Sequence, residues 1–144
     1  MGHAPNCLAD FLRTYNGGTN RGDIGWGMVD YCKWDAPTSA GGNKIYQAKT
    51  ANYWRGDGWG YAEYCKEIDA GRPVHLGLSS SRGGHSVTGI GYDNTDGKQN
   101  YICWTTWGGW GIRSWGWAGE SESGYGFVVY AGTTLVVTPR TSPN

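Results

Sequence analysis

The sequence contains no apolar run approaching the roughly 20 residues that cross a bilayer as a helix, and its 12 basic and 12 acidic side chains cancel to a formal net charge of zero. The first absence argues against a membrane-spanning helix. The second argues against a nucleic-acid or anionic-membrane partner, because either would need a basic patch to displace counterions. No secretory leader is expected ahead of the fold. Four cysteines occur, but no two have the CxxC spacing of a zinc ribbon or a dithiol redox centre, and the three histidines form no ligand-spaced cluster. No cofactor or metal is therefore expected, and no repeat of solenoid length appears.

Glycine and tryptophan are abundant instead, at 26 and 9 residues, with 10 tyrosines and only 2 phenylalanines. So much glycine alone would suggest disorder, but each indole or phenol ring buries a large area and needs a core to do so. A chain of 144 residues is long enough for one such core. One turn-rich folded domain is expected over residues 1–144, with 138–144 as a tail or linker. Cys7, Cys32, Cys65 and Cys103 permit three disulfide pairings without requiring any. The aromatic-rich, lysine-poor composition leans towards an extracellular or secreted setting, as a compact domain or as part of a larger secreted protein.

Local signals run from helical to strand-like along the chain. Asn6 is placed to cap a helix carrying Cys7, Leu8, Phe11 and Leu12, stopped by Asn16-Gly17-Gly18. Asp23 is placed to cap a second, with Ile24, Met28, Tyr31 and Cys32 on one face. Residues 35–44 read as a loop, followed by a strand over 44–48. Tyr61, Tyr64, Cys65 and Ile68 recur at i, i+3, i+4 and i+7 ahead of Gly71, the strongest helical pattern in the chain. From Val74 the period becomes two, with Leu76 and Leu78 alternating with His75 and Gly77. Further strands are expected around His85, over 101–104, over 126–130 and over 133–138. Helices first and antiparallel strands after make an α+β order.

The segment Gly83-Gly84-His85-Ser86-Val87-Thr88-Gly89-Ile90-Gly91-Tyr92-Asp93 holds the leading site candidate. A glycine turn opens a strand on which His85, Val87 and Gly89 face one way. A strand holds an imidazole rigidly, and Gly84 beside it would let a substrate backbone approach. Asp93-Asn94-Thr95-Asp96-Gly97 lacks the alternating ligands of a calcium loop and reads as a hairpin turn. Arg21-Gly22-Asp23 and Arg55-Gly56-Asp57 read as glycine turns that deliver an aspartate to a helix start. A metal site combining His3 and Cys7 with His75 or His85 has no spacing to support it.

Four stretches together resemble the papain-like superfamily, and within it the C39-like group of bacterial cysteine peptidase domains. They are Asn6-Cys7-Leu8-Ala9-Asp10-Phe11-Leu12, Tyr64 through Glu67-Ile68-Asp69-Ala70-Gly71-Arg72-Pro73-Val74, Gly84 through Asp93, and Trp104-Thr105-Thr106-Trp107-Gly108. The resemblance implies a papain-like cysteine proteinase fold, α+β, with N-terminal helices followed by a twisted antiparallel sheet. It also implies a thiolate nucleophile at a helix N-terminus, a strand histidine as base, and an Asn or Asp orienting the ring. Cys7 and His85 take the first two places. The third falls at Trp104 or Thr105, so Thr105 becomes the candidate orienter through its hydroxyl. Anchored instead on the Ala9-Asp10-Phe11 segment, the nucleophile helix would lie upstream and Cys7 would be structural. The glutamine of an oxyanion hole has no match.

Trp104, Trp107, Trp110, Trp115 and Trp117 lie in a glycine-rich run. They read either as packing for the sheet or as an aromatic wall, and Trp104, Trp107 and Trp110 with Gly84 are the candidate substrate cleft. The expected function is thiol-dependent hydrolysis of peptide or ester bonds. The alternative is a catalytically degenerate domain that binds peptide or glycan through that cleft.

Overall fold

The computed structural model describes residues 7–16, 18–34, 46–119 and 126–139. It combines helices with an antiparallel sheet and falls into two compact units, residues 1–51 with 135–144 and residues 52–134.

In the first unit α1 (Leu8–Phe11) packs on α2 (Arg21–Lys33). The expected first helix shrinks to one turn because Arg13 and Asn16 take positive φ, which ends helical hydrogen bonding just after it. Cys7, not Asn6, is its N-cap residue, and Asn6 lies outside the described residues. α2 starts earlier than expected. Asn20 caps it by accepting the Gly22 N–H at 3.0 Å, so Asp23 sits within the first turn. Its buried side is Ile24, Gly25, Gly27 and Val29 rather than the Ile24–Met28–Tyr31 stripe. The reason is close approach: a Cβ on Gly27 would lie 2.5 Å from the Phe11 carbonyl oxygen. Phe11 meets Tyr31 edge-on at 5.6 Å.

The second unit is built on a sheet whose strands neighbour one another in the order 128–139, 74–80, 83–93, 100–104 and 112–116, with the end of the strand over 46–54 beside 128–139. β1 (Tyr46–Trp54) runs well past the 44–48 expected, and residues 44 and 45 lie outside the described set. Residues 55–57 form a 3-10 turn and cap nothing; α3 (Tyr61–Asp69) is started by Gly60, whose N–H donates to the Glu63 carboxylate at 3.1 Å. β2 (Val74–Ser80) and β3 (Gly83–Asp93) are antiparallel neighbours, as the change of period implied, with Leu76 opposite Val87 and Leu78 opposite His85. β4 (Asn100–Trp104) follows a 3-10 turn over Thr95–Gly97.

β5 (Ile112–Gly116) lies inside the Trp/Gly run, where no strand was expected. The two last strands are one, β6 (Val128–Pro139), which reaches into the segment read as a tail. It stays continuous because a bulge between Gly77 and Leu78 of β2 absorbs Tyr130, whose ring covers Gly77.

Alternation puts Val74, Leu76, Leu78, Val87, Tyr101, Cys103 and Trp115 on one face, where all are buried. α3 packs here, and Tyr64 reaches across the sheet to donate to the Gly91 carbonyl at 2.7 Å. Trp117 sits at the middle of the aromatic packing, within 5.6 Å of the ring centres of Trp59, Tyr61 and Tyr64. Of the glycine-rich run's indoles, Trp115 and Trp117 thus belong to the core, and half-buried Trp107 and Trp110 pack against it.

Candidate active site

His85 lies near the start of β3, half-buried, at the open end of the core face. Its Nε2 lies 2.8 Å from the main-chain carbonyl oxygen of Thr105. A carbonyl can only accept, so the ring must donate there, which leaves Nδ1 as the nitrogen with a lone pair. The imidazole stacks on Trp107, centres 4.1 Å apart and planes 20° from parallel, and Phe127 stands beside it at 6.0 Å.

The carbonyl is held by the loop that follows β4. Thr105 is fully buried; its N–H and its hydroxyl both donate to the Gly111 carbonyl, each at 3.0 Å. The hydroxyl therefore faces away from the role expected of it, and the main chain of the same residue holds the ring. Thr106 takes a φ of 65°, unfavourable for a β-branched residue, and its hydroxyl donates to the Ser86 carbonyl at 3.3 Å. Such an outlier persists only where surrounding bonds over-determine it, and it clusters at functional sites. Nothing in the residue types signals a main-chain orienter, so only the fold could reveal it.

Of the cleft candidates, Trp104, Trp107 and Trp110 line an open cavity of about 540 Å³ together with Ile112 and Arg113. The Arg113 guanidinium lies 5.7 Å from the Trp110 ring centre. Gly84 alternates with His85 along β3 and so faces the other side of the sheet; neither lines this cavity.

Cys7 belongs to the first unit, at the start of the one-turn α1, and its N–H donates to the Asp10 carboxylate at 3.2 Å. Among the described residues the four cysteines are all thiols. Burial raises the pKa of Cys32 and Cys65, and pushes Cys103, on the core face, up to about 12. Those three are held protonated, which leaves Cys7 as the thiol to test.

The model of the Peptidase_C39 like family matches residues 4–124. The chain belongs to that family. The match covers both the Cys7 and the His85 segments, and it makes the chain peptidase-like at the level of the family. Neither a curated protein nor a solved structure matches the chain.

Proposed function

We propose that this C39-like chain has the papain-like fold and is a thiol-dependent hydrolase of peptide or ester bonds, with His85 as general base and Cys7 as nucleophile. The observation that carries the reading is the 2.8 Å bond from His85 Nε2 to the Thr105 carbonyl, which turns Nδ1 into the acceptor. In the reaction Nδ1 takes the Cys7 thiol proton, and the thiolate adds to the substrate carbonyl carbon. The imidazolium, resting on Trp107, then protonates the leaving amine or alkoxide. Water, activated by the same nitrogen, hydrolyses the thioester.

A main-chain carbonyl fixes the tautomer but carries no full charge, so it stabilises the imidazolium less than a carboxylate would. Losing the carboxylate of a triad lowers turnover about 10⁴-fold, so weak activity confined to activated esters is expected. Hydrolysis of an aryl ester should disappear in both Cys7→Ala and His85→Ala while both variants stay folded. Turnover that survives Cys7→Ala would move the nucleophile elsewhere. If no ester or peptide is cleaved, the degenerate binding domain becomes the better reading.

A further inference from the structure

β5 is the last strand of the sheet, and among the described residues it pairs with β4 alone. The register decides which of its backbone groups point outwards. Thr105 N–H donates to the Gly111 carbonyl and Trp117 N–H to the Gln99 carbonyl, at 3.0 and 2.8 Å. These two bonds bracket the ladder, so the hydrogen-bonded pairs between them are Tyr101 with Trp115 and Cys103 with Arg113. The backbones of Ile112, Ser114 and Gly116 must then face away from β4. The Ile112 carbonyl accepts from the Arg113 guanidinium and the Gly116 carbonyl from the Gly119 N–H. The Ile112 N–H and both main-chain groups of Ser114 are left in strand geometry at the edge.

The side chains around this edge are exposed rather than packed. Ile112 and its cross-strand partner Trp104 are 50 and 53 % exposed, and Arg113 and Ser114 are exposed beside them. No carboxylate among the described residues lies within ion-pair reach of Arg113, and of the described residues that line the cavity of about 540 Å³ at this end of β5, Arg113 alone is charged. A charge on an edge strand discourages pairing with a second copy and favours a partner of opposite sign.

We propose that the β5 edge binds an extended peptide as an added strand. A peptide residue opposite Ser114 exchanges both main-chain bonds with it. Its neighbours, one position along, place an acidic side chain against Arg113. An apolar side chain on the other face lies beside Ile112, towards Trp104. The peptide recognised is one that alternates apolar and acidic residues. This inference stands apart from the roles of Cys7 and His85, because its test reads binding and not turnover.

The probe is a fluorescein-labelled peptide of about seven residues, enough to span the edge, alternating leucine and glutamate. It should bind the full chain with saturable polarisation. Methylating the peptide nitrogen that faces the Ser114 carbonyl keeps every side chain but removes a ladder bond, and should weaken binding about tenfold or more. Ser114→Pro should do the same, since that N–H points away from β4 and the β4–β5 ladder keeps its bonds. Arg113→Glu should reverse the preference towards a leucine–lysine peptide. Methylation uses unaltered protein, so its result holds even if Ser114→Pro fails to fold. Binding indifferent to methylation overturns the proposal, as does failure of the peptide to bind. So does binding of a neutral oligosaccharide in its place, which would make the indoles a sugar platform, or self-association of the chain through this edge.

Discussion

The two faces of the sheet are made from the same strands, and over β3, β4 and β5 they have opposite fates. On the face under α3, Val74, Leu76, Leu78, Val87, Tyr101 and Cys103 are sealed from solvent. On the reverse face the alternate residues include Ser86, Thr88, Ile102, Trp104 and Ile112, several of them open. Gly89 illustrates the difference: a Cβ there would lie 2.7 Å from the Tyr64 hydroxyl, because α3 lies directly on the strand. His85 is on the sealed face but at its end, where packing thins out and Trp107 and Phe127 replace aliphatic neighbours. That position combines fixation with access: Trp107, Phe127 and the Thr105 carbonyl hold the ring, and the residue stays half-buried rather than sealed.

The largest effect that would test this contrast is on stability. Trp117→Ala removes the ring shared by Trp59, Tyr61 and Tyr64, and should cost about 3–5 kcal/mol in denaturant unfolding. Trp104→Ala, an equal truncation on the reverse face, should stay within about 0.5 kcal/mol. Equal costs would mean that the reverse face is covered after all.

Overpacking sharpens the same comparison from the other direction. Gly89→Ala forces a methyl into the Tyr64 ring and should destabilise by about 1–3 kcal/mol. Gly91→Ala, whose nearest contact would be Ile102 at 3.5 Å, should cost less in the same melts.

The smallest effect is a pH dependence set by His75. Burial of His75 on the reverse side of β2 lowers its pKa below the ordinary value, so the folded chain keeps it neutral. The unfolded chain protonates first, at about 6.5, so stability is full above that pH and falls as the pH drops below it. The loss stops growing once the folded ring also protonates, and it is at most about 1.4 kcal/mol per unit by which the two pKa values differ. His75→Gln should flatten the stability profile between about pH 6.5 and the lower folded value. An unchanged slope would show that the group responsible lies elsewhere.

Much of this arrangement is legible in local sequence, and the limits of that reading have physical causes. α3 and the β2–β3 pair follow from periodicity because each presents one apolar face to one partner. The Ile112–Gly116 strand was hidden, since only Trp115 and Gly116 of its five residues are buried and no alternation marks it. α1 is short because Arg13 and Asn16 take positive φ, and α2 buries Gly27 because it approaches Phe11 closely, circumstances that no hydrophobic pattern encodes.

The site divides in the same way. The residues in order place a histidine on a strand, a cysteine at a helix start and a Trp-Gly loop after β4, and they carry the family membership. The partner of the imidazole was decided by the fold, because a main-chain carbonyl belongs to every residue and becomes an orienter only when a loop aims it. Thr105 does so through two bonds to Gly111, and β5 acquires its outward N–H groups through the register of the same loop. Side-chain chemistry is written in the sequence; the direction of a backbone group exists only once the chain has closed on itself.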